Sequence, residues 1–208
     1  MIAGTRFVLF LSAALVLALM PGPGIFYVLG RTLNGGRREG VVSVLGTFTG
    51  GLVHAFAAAL GLSALLVASA TAFQTVRYAG AAYLIYLGIT MIRTRHLGAT
   101  QGVSNPRSHQ PLVQGIATEV LNPKTALFFL SFIPQFVVLD KGYVALQFLL
   151  LGTISVALNT AVDLLVVVFA AAVAKRIRKS KSFNANQRAA SGIGMIGLGV
   201  YVAIADSR

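Results

Sequence analysis

Six stretches of this chain are too long and too apolar to sit comfortably in water. They run roughly Phe7–Gly30, Val41–Ala68, Phe73–Ile92, Leu112–Val138, Val144–Ala174 and Ala189–Ala205, each bounded by charge or turn residues. About 20 apolar residues wound as an α-helix cross the roughly 30 Å hydrocarbon core of a bilayer. The third and sixth stretches lie nearest that limit. In hydrocarbon every backbone amide must be satisfied within the protein, which leaves helices as the open reading. Of the 208 residues 56% are hydrophobic and 11% charged, where a soluble domain carries about a quarter charged residues. The expectation is an all-α polytopic membrane protein of six transmembrane helices in a single domain.

The basic balance is a topology signal. The formal charge of +12 would point to nucleic acid in a soluble protein. Here the cations gather in short connections. Arg31, Arg37 and Arg38 follow the first stretch, Arg93, Arg95 and Arg107 the third, and Lys175, Arg176, Arg178, Lys179, Lys181 and Arg188 the fifth. Arg6, Arg77, Lys141 and Arg208 fall on the other side, and Lys124 lies inside the fourth stretch. The positive-inside rule then places the three rich loops in the cytoplasm and both termini outside. Nucleic acid is not an expected partner; membrane lipid is, with Lys175–Lys181 available to anionic headgroups. Arg6 before Phe7–Met20 resembles a signal peptide, but no small-x-small cleavage site precedes Pro21, so an uncleaved first span is expected. The chain has no cysteine, which excludes disulfides, thiolate metal sites and thiol redox chemistry.

An internal repeat is legible. The first stretch is broken at Pro21-Gly22-Pro23-Gly24 and the fourth at Asn122-Pro123-Lys124, about a hundred residues on. Leu45-Gly46-Thr47 is matched by Leu151-Gly152-Thr153, and Gly88 in the third stretch by the Gly197, Gly199 region of the sixth. The shared order predicts two three-helix halves, about 5–94 and 112–206, joined by a linker at about 95–111. An odd number of spans per half inverts the second half. Paired broken helices in inverted halves mark transporter binding sites, because proline removes an amide donor and leaves carbonyls free at mid-membrane.

Polar residues cluster at the same depth. At about 1.5 Å per residue, Pro21 lies roughly 15 Å from the cytoplasmic end of its span, His54 roughly 21 Å, and Lys124 and Asp163 roughly 18–20 Å. Ionisable groups at mid-membrane are functional candidates by default. Lys124 begins a half-helix, where the dipole disfavours a cation, so it needs an anion: Asp163, Glu119 or a ligand carboxylate. Each residue also has a structural reading. Asp163 could serve only to pair Lys124, His54 to pack, and Glu119 to cap the break; Thr47, Thr49 and Asn159 read as interhelical hydrogen-bond partners. Gly46-x3-Gly50 and Gly192, Gly194, Gly197 and Gly199 read as close-packing faces.

These residues bring a family into view. Pro21-Gly22-Pro23-Gly24, Gly36-Arg37-Arg38-Glu39-Gly40, Gly46-x3-Gly50, Tyr78 to Gly88, Asn122-Pro123-Lys124 and Pro134-Gln135-Phe136 together resemble the lysine exporter (LysE/RhtB) family of bacterial amino-acid efflux proteins. The resemblance covers essentially the whole chain. It implies a six-span inverted-repeat carrier of the inner membrane, not an enzyme, without cofactor or metal, exchanging amino acids for protons. The homoserine/threonine branch is the nearest, because an acid stands in span five as Asp163 does. Gly51 and Phe128 stand where the basic-amino-acid branch tends to carry acids, which argues against cationic cargo. The expected substrate-binding residues are Pro21, Gly22, Pro23, Gly24, Asn122, Pro123 and Lys124, with Phe26 and Phe128 housing the side chain. The expected proton-coupling residues are Asp163, His54 and Glu119. A non-transporting scaffold and a channel for small zwitterions are the alternatives, and a homo-oligomer is compatible with the packing glycines.

Overall fold

The computed structural model describes residues 4–94, 110–179 and 181–204. Most of the linker expected at 95–111 and the side chains of the basic run at 175–188 fall outside the described residues. In chain order the helices are α1 (Gly4–Leu19), α2 (Pro23–Ala57), α3 (Ser63–Ala68), α4 (Ala70–Arg93), α5 (Pro111–Val120), α6 (Pro123–Leu127), α7 (Val144–Lys179) and α8 (Lys181–Ile204). π-helical turns follow α2 at Ala58–Leu62 and α6 at Phe128–Phe132, and a 3₁₀ turn continues the latter through Phe136. There is no strand among the described residues. All six apolar stretches are helical over most of their lengths.

By length and composition two helices could cross a bilayer, Pro23–Leu65 and Val144–Ala170. Pro111–Val120 and Pro123–Phe136, bent by 43° at their junction, make a third if counted as one span. Large apolar side chains face outward along these elements, among them Phe56, Leu60, Leu121, Leu150 and Phe169. A surface this apolar needs lipid or protein around it.

Helix α2 is a hairpin. Its 35 residues would run about 52 Å if straight, but Gly36 has φ +79° and ψ −179°, a conformation open to glycine at little cost. Residues eight apart in a straight helix are about 12 Å apart along the axis. Yet Arg31 Nη1 lies 3.3 Å from Glu39 Oε2, and the Thr32 hydroxyl stands where a Cβ on Gly40 would go. Val28 and Val44 share one buried cluster. The pairs pivot about Gly36, so the chain reverses where the sequence places the turn between its first and second stretches. Arg31, expected among the loop cations, is instead helical and 3% exposed. Its guanidinium bonds Glu39 and, at 2.5 Å, Gln114 of α5, while Tyr27 donates to the Pro111 carbonyl at the start of that helix.

Glycines set the closest helix contacts. A Cβ on Gly46 would collide with the Leu112 carbonyl and lie 2.9 Å from the Gly115 Cα; one on Gly50 would lie 2.8 Å from both the Glu119 Cβ and the Ile116 carbonyl. The second limb of α2 therefore runs parallel to α5 with backbones in contact, the small-residue packing expected of Gly46-x3-Gly50. Gly88 meets Gly192, and Gly199 meets Ala81 and Leu84, which sets α4 antiparallel to α8. Gly51 against Val156, and Gly152 against Ala55, set the second limb of α2 antiparallel to α7. The core is aromatic: Phe128 stacks on Phe132 at 5.0 Å, Phe132 meets Phe136 at a tilt at 4.8 Å, and Phe10 of α1 meets Phe136 edge-on at 5.4 Å. Such pairs contribute about 0.5–1.5 kcal/mol each beyond their buried area.

Candidate functional site

Both broken spans leave the carbonyls that proline must leave. A proline at position i cannot donate to the carbonyl at i−4. For Pro21 that carbonyl belongs to Leu17; for Pro123 it belongs to Glu119. The structure fills both from another span. The Lys124 ammonium donates to Leu17 O at 3.2 Å and to Met20 O at 2.9 Å. His54 Nε2 lies 3.0 Å from Glu119 O, and since a carbonyl only accepts, that nitrogen carries the proton. Its ring stacks on Phe129 at 5.8 Å.

The dipole conflict of Lys124 is thereby resolved. Its ammonium sits at the C-terminal end of α1, the negative end of a 16-residue helix, rather than only at the start of its own short helix. No salt bridge joins it to Asp163 or Glu119. Gly22 makes room: a Cβ there would lie 3.3 Å from Lys124 Cε and 3.4 Å from Nζ.

Glu119 occupies the other end of the same break. A Cβ on Gly24 would stand 2.8 Å from Glu119 Oε2, so the carboxylate lies over the first turn of α2, where the helix dipole favours an anion. Asn122 Nδ2 donates to Oε2 at 3.1 Å and the Thr125 hydroxyl to Oε1 at 2.5 Å. Asn122 also caps α6 by accepting from the Lys124 amide at 3.1 Å. Asp163 is fully buried. Its Oδ2 accepts from the Thr47 hydroxyl at 3.0 Å, and its Oδ1 has no hydrogen-bond partner.

Between these groups is a cavity of about 30 Å³, room for two or three waters. Lys124, Glu119, Thr125 and Phe128 line it from the broken fourth span, Ala14, Leu17 and Ala18 from α1, Thr47 and Gly51 from α2, and Ser155, Val156, Asn159 and Thr160 from α7. Of the residues expected to bind substrate, Lys124 and Phe128 are in its wall. Gly22 and Asn122 are buried just behind it, while Phe26 is half-buried elsewhere and Pro23 is exposed. Of the expected proton-coupling residues, Glu119 is in the wall, Asp163 reaches it through Thr47, and His54 lies behind Phe129. Sequence reasoning missed Thr125, Ser155 and Thr160. Ser155, Asn159 and Asp163 recur every four residues, a polar stripe on an apolar helix that periodicity could have picked out. Among the described residues no group of three His, Asp or Glu side chains could hold a metal.

Apolar faces turned outward, with charges turned inward onto broken helices, define a membrane protein with a polar interior. The family model of the LysE type translocator matches residues 15–206, and the chain belongs to that family, which is one of transporters rather than enzymes. It is 34% identical over 217 residues to an uncharacterized membrane protein of Pseudomonas aeruginosa, covering 97% of this chain and 96% of that one. It is 31% identical to a leucine efflux protein of Enterobacter (91% and 88% covered) and 32% identical to a homoserine/homoserine lactone efflux protein of Salmonella typhimurium (81% and 80%). No solved structure matches the chain.

Proposed function

We propose that this protein exports neutral amino acids from the bacterial cytoplasm in exchange for protons. The observation that carries the reading is its chain-long kinship with the leucine and homoserine efflux proteins. The site chemistry supports it: donors and acceptors for an amino acid's two charged groups stand on both broken helices, and the remaining wall is apolar and hydroxyl side chains with Gly51 and the Asn159 amide. The carrier sits in the inner membrane as six spans in two inverted halves, about 5–94 and 112–206, with both termini outside. The antiparallel pairings of α2 with α7 and of α4 with α8 are those an inverted repeat requires.

In this reading the ends at Pro21–Gly24 and Asn122–Lys124 hold the backbone of the amino acid, and Lys124 takes its carboxylate. Phe128 bounds the side chain, joined by Phe26 when the site opens. Asp163 carries the coupling proton, with Glu119 and His54 as the other titratable groups at that depth. The cavity, with room for two or three waters, is too small for any amino acid, so in this reading transport requires the halves to separate. Purified protein in proteoliposomes tests the proposal with leucine, homoserine, threonine and lysine under an imposed pH gradient. Gradient-driven movement of the first three, and not of lysine, is expected; movement of no amino acid ends the reading.

A further inference from the structure

The two carbonyls at the end of α1 form a primary-ammonium site, and the protein's own lysine occupies it. We propose that the Lys124 ammonium is a tethered stand-in for the α-ammonium of the cargo. On binding, the cargo's ammonium takes over the Leu17 and Met20 carbonyls, and the released Lys124 turns to the cargo's carboxylate. The inference rests on the proposed transport of amino acids for the identity of the cargo, but the ammonium site itself stands on geometry alone.

Three observations carry it. Lys124 is 7% exposed and its ammonium bonds to main-chain oxygens, at 3.2 and 2.9 Å. Those oxygens lie at the negative end of α1; Pro21 denies Leu17 O its i+4 donor and the Met20 amide supplies one bond at 3.1 Å, so each oxygen keeps an acceptor site and the pair makes a receptor for any N–H-bearing cation. Finally, Leu17 and Lys124 both border the cavity, and Gly22, having no side chain, leaves the flank of the ammonium open. Glu119, the other charge in that wall, is held by Asn122 and Thr125 in its own span. Moving Glu119 would strand two buried donors. Moving Lys124 strands nothing if another ammonium replaces it.

The exchange explains a requirement for zwitterions. An amine without a carboxylate would release Lys124 into a buried wall whose one lining carboxylate, Glu119, is already engaged by Asn122 and Thr125, which is costly. A carboxylate without an ammonium would draw Lys124 away, leaving Met20 O bare and Leu17 O with only the Met20 amide at 3.1 Å. Only a molecule bearing both groups leaves every charge and carbonyl partnered. It also makes Lys124 the residue that discriminates amino acids from simple amines.

The test uses ethylammonium as probe, and tetramethylammonium, equally charged but without an N–H, as control. Full-length Lys124→Ala protein in nanodiscs should melt about 5 °C higher in saturating ethylammonium than in tetramethylammonium or sodium at the same ionic strength, while the wild type should show no such difference. A folded Lys124→Ala protein indifferent to ethylammonium overturns the ammonium site. If that variant does not fold, the wild type decides: with ¹⁵N-lysine label, and the Lys124 signal assigned by Lys124→Arg, leucine or homoserine should shift that signal and ethylammonium should not. Binding of either amino acid with the Lys124 signal unmoved overturns the exchange. Ethylammonium stabilisation of Lys124→Ala, beside a wild type that neither binds nor moves any amino acid, overturns the proposed function and leaves the ammonium site intact.

Discussion

The imidazole of His54 reaches from α2 to the backbone carbonyl of Glu119, 3.0 Å away, and that carbonyl is the one Pro123 cannot satisfy. Lys124 does the same for Leu17 O, which Pro21 deprives of its i+4 donor and which otherwise accepts only from the Met20 amide at 3.1 Å. Each broken helix is therefore closed by a side chain from a different helix, and the donors sit at corresponding junctions of the two breaks. A proline kink inside a membrane persists when neighbouring groups re-satisfy the freed backbone; here the satisfying groups are ionisable residues lying in or behind the cavity wall.

His54→Leu should cost about 1–3 kcal/mol, because it leaves a buried carbonyl with weakened hydrogen bonding and removes the ring stacked on Phe129. His54→Gln, whose amide can donate to the same oxygen, should recover part of that loss. Thermal melts of both variants in one detergent measure the difference. Equal melting of His54→Leu and wild type would show that the Asn122 amide, which also donates to Glu119 O at 3.1 Å, suffices alone.

The close approach of α2 to α5 predicts a sharp contrast between two glycines of one span. Gly46→Ala would drive a methyl into the Leu112 carbonyl and the Gly115 backbone, whereas Gly61→Ala has nothing within 4 Å. The first should lose folded yield and about 1–3 kcal/mol of stability as the helices are forced apart. The second should be neutral or slightly stabilised through helix propensity. Size-exclusion yield and melting temperature after identical expression test this, and equal behaviour would mean the helices are not in backbone contact.

Much of the fold was legible because its determinants are local. Apolar runs and proline breaks are written in consecutive residues, and the small-xxx-small pattern at Gly46 and Gly50 names a packing face before its partner is known. The expected loop at Arg31–Gly40 contains the reversal, which the structure narrows to Gly36. What was not legible depends on which helices become neighbours. Lys124 called for an anion by the logic of its own helix, and nothing in that span reveals that the C-terminal end of α1 lies across from it. Asp163 looked like a partner for Lys124 because both lie at one depth, but depth does not specify the facing residue, which is Thr47. Arg31 read as a loop cation because its burial against Gln114 and Glu39 arises only once the hairpin closes.

Orientation can be settled with a chain that lacks cysteine. If both termini lie outside, a single cysteine at Ser104, in the proposed linker between the proposed halves, should resist an impermeant maleimide in intact spheroplasts and react fully once they are lysed. A cysteine at Tyr143, which is 83% exposed in the turn before α7, should react in both. Labelling of the Ser104 site in intact cells reverses the proposed topology.

The last prediction concerns how a proton on Asp163 is felt in the cavity. Asp163 is out of reach of solvent, its Oδ1 has no partner, and its Oδ2 is joined to the Thr47 hydroxyl at 3.0 Å. That hydroxyl also lies 3.1 Å from Val44 O, and with one proton it can donate to only one of the two. An ionised Asp163 holds the Thr47 proton; a protonated Asp163 can donate to Thr47 instead, and Thr47 then turns its proton to Val44 O. Because Thr47 is also in the cavity wall, along with the charged Lys124 and Glu119, the swap changes what the wall offers a substrate. Asp163→Asn should therefore fold and exchange amino acid for amino acid across vesicles, but should not respond to a pH gradient. Thr47→Val should keep the gradient response but displace the pH profile of transport from that of the wild type, and Thr47→Ser should restore it. Proton-driven efflux that survives Asp163→Asn would move the coupling role to Glu119 or His54. An unchanged pH profile in Thr47→Val would leave Thr47 as a packing contact and nothing more.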